Sequence, residues 1–471
     1  MSRQKDKFVS PLEKHLQDRY LYDGNWDILV NRVSIAASSV ESNEKRNYWK
    51  NKFANIIKDM SFIPAGNTLI SGIKKNEKTF PNCSILNPPT DETLNKLIKD
   101  ATLLWNNATG IGINLSNVSD PVSIMYILHN INIQIKLKHR PSRGNMAVLS
   151  SSHIKIKEFI QCKNNDPQKL SSFNISVAIE NDQDLEKLLP LISKSSWYTG
   201  DPGLVFIETV NKDNYNLPKL TTCVPCGEQF MYPNETCNLG SINLASQYFL
   251  NIKNLKNNID VFVESLEKVM VVAIRLLDNI IDTLDHPTKI MKESSLKYRR
   301  IGLGVMGLAT MLKKYNIKYD SEEARYISKI IAKNMKIIST KITEDLAKEK
   351  GSCCIKGRRN ITVTCIAPTG GISLLCGVSP AIEPFFTEAN TIHWKDHILM
   401  QSVWQKYIDN AISKTINLPK DCTINDIYES YKFAKLNGCK GITIFRDRCR
   451  GDLQPISTNN KMCKIRGGSC D

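Results

Sequence analysis

Phe173-Asn174-Ile175-Ser176-Val177-Ala178-Ile179 is a run of apolar and β-branched residues interrupted only by Asn174 and Ser176. It is long enough for a strand and short for a helix: Phe173, Ile175, Val177 and Ile179 alternate with Asn174, Ser176 and Ala178, and the run reads as a buried strand. Working outward, Leu204-Val205-Phe206-Ile207, Ile361 to Ile366 and Gly441 to Phe445 read the same way. Long amphipathic stretches lie between them. One runs from Ile259 to about Asp285; another opens with Asp320 as N-cap and Glu323 at the third helical position and closes at Gly351. Residues 1–60 read as helical, with apolar spacing in Trp26 to Ala37 and in Tyr48 to Met60. Strands alternating with helices imply a mainly parallel α/β architecture. From about Arg450 the chain turns polar, through Asn459-Asn460-Lys461 to Arg466-Gly467-Gly468-Ser469-Cys470-Asp471, and reads as a flexible tail.

Composition narrows the function classes. Of 471 residues, 41% are hydrophobic and 23% charged, ordinary for a globular protein. No apolar stretch of about 18 residues offers a membrane span. Met1 to Lys7 is polar and charged with no apolar run behind it, so no secretory signal is read and a cytoplasmic location is expected. A net charge of +16 favours nucleotides and phosphorylated substrates. The basic residues are spread along the chain without a stripe of interleaved aromatics, so direct nucleic-acid binding is not expected. Fourteen cysteines without a signal belong to a reducing compartment, where thiols stay free unless they do chemistry. Neither a repeated C-x-x-C pair nor H-E-x-x-H is present, and no metal site is expected.

The densest candidate site is Thr221-Thr222-Cys223-Val224-Pro225-Cys226-Gly227-Glu228-Gln229, followed by Glu235-Thr236-Cys237-Asn238-Leu239-Gly240-Ser241-Ile242-Asn243-Leu244. Gly and Pro around a cysteine and a carboxylate suggest a loop that presents both side chains to a pocket. Alone, Cys-Gly-Glu is a weak signal. Collinear with it, however, are Phe62-Ile63-Pro64-Ala65-Gly66, Phe80-Pro81-Asn82-Cys83, Gly110-Ile111-Gly112-Ile113, Arg143-Gly144-Asn145-Met146 and Asn174-Ile175-Ser176-Val177. Arg300 to Gly307, Ala367-Pro368-Thr369-Gly370-Gly371-Ile372-Ser373, Ile382-Glu383-Pro384, Asp409 to Asn417 and Phe445-Arg446-Asp447 complete the set. In this order the motifs resemble those of the ribonucleotide reductase catalytic subunits, over most of the chain.

The resemblance implies a ten-stranded α/β barrel over residues 61–450, an N-terminal helical segment over 1–60, and a C-terminal tail, 451–471, with redox cysteines. It implies conversion of ribonucleoside di- or triphosphates to 2′-deoxyribonucleotides by thiyl-radical chemistry. Cys226 matches the radical position: a sulfur radical can take the ribose 3′-hydrogen because the S–H and C–H bonds are of comparable strength. Glu228 matches the base that removes the 3′-hydroxyl proton. Cys83 and Cys237 match the thiol pair whose oxidation to a disulfide supplies two electrons. Ala367, Pro368, Thr369, Gly370, Gly371, Ile372 and Ser373 match the phosphate loop, where glycines let backbone N–H groups approach an anion. Thr68 and Asn82 are further expected substrate contacts. Cys463 and Cys470 match a mobile dithiol that relays electrons from a thioredoxin or glutaredoxin-like reductant.

One position departs from the pattern. The family's asparagine two residues before the radical cysteine is Val224 here, so another group, such as Thr222 or a water, has to orient the substrate hydroxyls. The radical source is read by elimination. Lys440-Gly441-Ile442-Thr443-Ile444-Phe445-Arg446 has no tyrosine pair to receive a radical from a separate metal-containing subunit. Arg466-Gly467-Gly468 is a poor glycyl-radical loop, and the four-cysteine zinc site of the anaerobic class is missing. Adenosylcobalamin is the cofactor that remains; the alternatives are a subunit-supplied radical or a non-catalytic nucleotide-binding relative. A homodimer stays open. Leu115-Ser116-Asn117-Val118-Ser119-Asp120 runs directly into Pro121-Val122-Ser123, where longer relatives carry a glycine- and serine-rich wall of an effector site. The second loop, His139 to Asn145, is kept. Residues 1–60 also leave no room for a regulatory cone of about 100 residues, so little allosteric control is expected.

Overall fold

The computed structural model describes Tyr20 and residues 25–70, 80–135, 144–385 and 387–450, except 165, 167 and 168. It opens with two helices, Trp26–Ser38 and Asn43–Lys58, over the stretches read as helical. The Asn25 side chain accepts from the Ile28 N–H and starts the first. Leu29, Val33 and Ala37 on one, and Phe53 and Ile57 on the other, enter the larger apolar core. A buried ion pair ties them down: Arg275 binds Glu41 at 2.7 Å and Glu349 at 2.7 Å. Burial opposes the Glu41 charge, but Arg275 and Lys350 outweigh it and hold the carboxyl at about 2.

The described residues form ten strands: β1 (Phe62–Pro64), β2 (Cys83–Ile85), β3 (Gly110–Asn114), β4 (Asn145–Ser150), β5 (Phe173–Ile179), β6 (Gly203–Phe206), β7 (Leu239–Asn243), β8 (Gly302–Met306), β9 (Thr415–Leu418) and β10 (Gly441–Arg446). They make a seven-stranded sheet, β2-β3-β4-β5-β6-β10-β9, and a three-stranded one, β1-β7-β8. Strands β2 to β6 run parallel to one another. Strand β10 runs antiparallel to β6 and parallel to β9, and β8 lies parallel to β7. Isolated bridges lie beyond the ladders: Ser84 with Thr236, Leu303 with Thr364, and Ile366 with Ile412. The chain is a mixed α/β protein, as the alternation of strands and helices implies.

Two local expectations are corrected. Ile361 to Ile366 is a bridged segment and not a continuous ladder strand: Thr364 bridges Leu303 of β8 and Ile366 bridges Ile412, while the N–H groups of Val363 and Thr364 donate to the Asp409 carboxylate at 2.8 and 3.2 Å. The long second helix is capped by Ser321, not Asp320, and spans Glu322–Lys350, because Ser321 Oγ reaches the Ala324 N–H at 3.1 Å. The first long helix, Ile259–Thr283, agrees with its reading and packs against this one.

Candidate active site

The Cys-Gly-Glu segment is a tight turn closing a short hairpin. Cys223 bridges Phe230, the Val224 N–H donates to the Gln229 carbonyl at 3.0 Å, and the Gly227 N–H donates to the Val224 carbonyl at 2.9 Å. Pro225 and Cys226 therefore occupy the two corners, where proline's fixed φ suits the first. Gly227 follows at φ +77°, a left-handed conformation that favours glycine. Distant residues hold the turn: Asn174 donates to the Pro225 carbonyl at 2.8 Å, and Asn410 both accepts from the Phe230 N–H and donates to its carbonyl. The loop also presses on β3 so closely that a Cβ on Gly112 would lie 2.1 Å from the Cys223 carbonyl oxygen.

Only two residues apart, Cys226 and Glu228 occupy different environments. Cys226 is half-buried at the turn's corner, and a Cβ on the adjacent Gly227 would meet nothing within 4 Å. Glu228 is 2% exposed, its Oε2 has no hydrogen-bond partner, and burial pushes its pKa up to about 7. Burial first, and then the nearby Glu228 carboxylate, also push up the thiols of Cys223 and Cys365.

Glu228 lines a cavity of about 400 Å³ of empty space, open solvent at its mouth included. Asn82 and Cys83 line it too, as do Ala367, Pro368, Thr369 and Ile372 of the expected phosphate loop. That loop turns through Thr369 at φ +57° into the helix Gly370–Cys376, and Thr369 Oγ1 accepts from the Ala381 N–H at 2.7 Å. Cys226, Cys237, Thr68, Gly370, Gly371 and Ser373 are not among the lining residues; Thr68 is buried in the helix Gly66–Ile70, whose first residue is.

Cys83 and Cys237 meet although 154 residues separate them. The antiparallel Ser84–Thr236 bridge sets them directly opposite each other, the Cys237 N–H donates to the Cys83 carbonyl at 2.9 Å, and the Cys83 N–H reaches Cys237 Sγ at 3.1 Å. Residues opposed in this way have Cα atoms roughly 4.5–5.5 Å apart, inside the range a disulfide spans. Both thiols are buried and unbridged. Val224 packs with them and with Ala65, Met231 and Cys365, fully buried. Thr222, a candidate beside a water to replace the missing amide, is buried but is not among the cavity's lining residues.

A family model described as "Ribonucleotide reductase, barrel domain" matches residues 180–355 and 385–445, about half of the chain. The chain belongs to the ribonucleotide reductase family. A vitamin B12-dependent ribonucleoside-diphosphate reductase of Thermoplasma acidophilum is 30% identical over 86% of this chain and 66% of its own length. One of Mycobacterium tuberculosis is 28% identical over 88% of this chain and 74% of its own. A vitamin B12-dependent ribonucleotide reductase of Streptomyces coelicolor is 21% identical, over 81% and 58% respectively. This reductase-family chain is thus similar to about two thirds of the length of these relatives.

Sequence reasoning missed two neighbours of the site, Ser241 and Cys365. Ser241 lies on β7 two pleats beyond Cys237, on the same face, and alternation could have singled it out. Cys365 carried no such signal. The expected relay cysteines, Cys463 and Cys470, lie outside the described residues, as do His139 to Arg143 of the second loop. Among the described residues there is no cluster able to hold a metal ion and no helix long and apolar enough to cross a membrane.

Proposed function

We propose that this chain is a ribonucleotide reductase catalytic subunit that converts ribonucleotides to 2′-deoxyribonucleotides. The observation that carries the reading is that one cavity joins the Glu228 carboxyl with its unpartnered Oε2, the Cys83 thiol opposed to Cys237, and the phosphate-loop residues, next to the turn bearing Cys226. In this reading the Cys226 sulfur radical takes the 3′-hydrogen, leaving a carbon radical. Glu228 accepts the 3′-hydroxyl proton while the C2′–O bond breaks and the 2′-oxygen leaves as water. Cys83 and Cys237 supply two electrons and two protons and become a disulfide. Cys226 returns its hydrogen to C3′ and recovers the radical. The balance is ribonucleotide plus dithiol to deoxyribonucleotide, disulfide and water. Ala367 to Ser373 hold the phosphates, with Asn82 and Thr68 as supporting contacts. The names of two relatives favour a ribonucleoside diphosphate as substrate.

Adenosylcobalamin is the proposed cofactor, and when bound it supplies the organic radical that activates Cys226. The relatives' names support it, as does the absence of a tyrosine from Gly441–Arg446. Cys226 fits such a source, since it is half-buried beside unfilled space at Gly227 while the other site thiols are enclosed. The finer architecture in this proposal is a ten-stranded barrel over residues 61–450. Its two parallel sets are β2 to β6, and β10, β9, the 364–366 run, β8 and β7. The isolated bridges Ser84–Thr236, Leu303–Thr364 and Ile366–Ile412 support closure of that ring. The helices Trp26–Ser38 and Asn43–Lys58 belong to the N-terminal segment, 1–60, and Cys463 and Cys470 of the segment 451–471 pass electrons from a thioredoxin or glutaredoxin-like protein in the cytoplasm. Anaerobic incubation of a ribonucleotide with adenosylcobalamin and a dithiol, beside a no-cofactor control, tests the reading. Cofactor-dependent deoxynucleotide is expected, and none at all would refute it.

A further inference from the structure

Val224 leaves the site without the amide that would orient the substrate hydroxyls, and its own side chain is fully buried among Ala65, Met231 and Leu239. The replacement has to come from polar side chains that reach the cavity. Asn82 Oδ1 is engaged by the Asn67 N–H at 3.0 Å, and Thr369 Oγ1 by the Ala381 N–H at 2.7 Å. Two lining residues carry fully buried side-chain polar atoms without a hydrogen-bond partner: Glu228 Oε2 and Ser241 Oγ. Ser241 is 1% exposed, and a buried hydroxyl without a partner is costly unless something else satisfies it.

We propose that the Ser241 hydroxyl is a direct substrate contact that, together with Glu228, takes the ribose diol in place of the amide missing at Val224. The inference rests on the reductase reading. The chemistry is complementary: an ionised carboxylate only accepts, whereas a hydroxyl donates and accepts, so the pair can satisfy two neighbouring hydroxyls. Ser241 is also held rigidly. It sits in the middle of β7, in register with Ile63 of β1 on one side and Gly304 of β8 on the other, so its position is set before any ligand arrives.

The test compares wild type with Ser241→Ala, a change that removes a single oxygen atom. Binding of a ribonucleoside diphosphate is measured against its 2′,3′-dideoxy counterpart, alongside kcat, KM and the melting temperature of the free protein. The variant is expected to lose about tenfold of the preference for the ribonucleotide, the size of one neutral hydrogen bond. Its kcat falls with KM much less affected, because the phosphates still anchor the nucleotide, and its melting temperature does not drop. Wild-type preference and kcat in Ser241→Ala would overturn the inference, as would a lower melting temperature with preference intact, which marks a structural hydroxyl. Absence of turnover in wild type would instead refute the reductase reading.

Discussion

Cys226 and Glu228 illustrate how a turn gives two side chains opposite surroundings, and each environment makes its own prediction. Cys226→Ser should abolish deoxynucleotide formation while substrate affinity stays within a few fold, because an O–H bond is too strong to carry the radical; retained turnover in this variant contradicts the assignment. Glu228 is protonated more readily in the fold than in the unfolded chain, its pKa being raised from 4.5 to about 7 by burial. Below 4.5 both states hold the proton, so wild type and Glu228→Gln should be equally stable. As pH rises to about 7 the folded chain keeps a proton that the unfolded chain has released, and wild-type stability falls relative to the variant. Urea unfolding of both proteins should show this gap growing to about 3 kcal/mol and levelling off above pH 7. A pH-independent difference would place Glu228 in a more solvated site. As the base, ionised Glu228 should make turnover rise through the same pH range, and Glu228→Gln should lose roughly 10²–10⁴ of kcat.

Between elements, the opposition of Cys83 and Cys237 is a property of strand pairing. Given adenosylcobalamin but no dithiol, the chain should complete about one turnover and lose both thiols to disulfide formation, read as protection of Cys83 and Cys237 from alkylation. If both remain alkylatable after product forms, another pair supplies the electrons. The strand over Phe173–Ile179 was legible because Phe173, Ile175, Val177 and Ile179 recur at every second position and write the burial of that face into the composition. Ile361 to Ile366 pairs only through isolated bridges because Asp409, which takes two of its N–H groups, lies more than forty residues away, beyond what a local reading can see. For the same reason Cys-Gly-Glu could be found by its residues, whereas the unpartnered Ser241 hydroxyl needed β1 and β8 around it. The short range of a cap explains the Asp320 error: Asp320 and Ser321 are both good caps, and only backbone geometry chooses between them.

At the scale of the whole molecule, control of base preference depends on whether an effector site has walls. The connection from β3 to the helix Pro121–Gln134 is short, and its backbone is committed to local partners. The Leu115 N–H donates to the Val148 carbonyl at 2.9 Å, the Ser119 N–H donates to the Asp91 carboxylate at 3.0 Å, and Asp120 caps the helix by accepting from the Ser123 N–H at 3.2 Å. A segment pinned at both ends and in its middle leaves no loop to fold over a second nucleotide. Coupling between sites requires an effector to make contacts that differ between two states, and this connection offers no free loop to make them. We therefore predict weak or absent switching of base preference by deoxynucleoside triphosphates. Competition among four ribonucleotide substrates, with and without each effector, decides the matter. Preferences should shift by less than about tenfold, or roughly 1.4 kcal/mol of coupling; a larger shift would mean that an effector binds elsewhere on the chain.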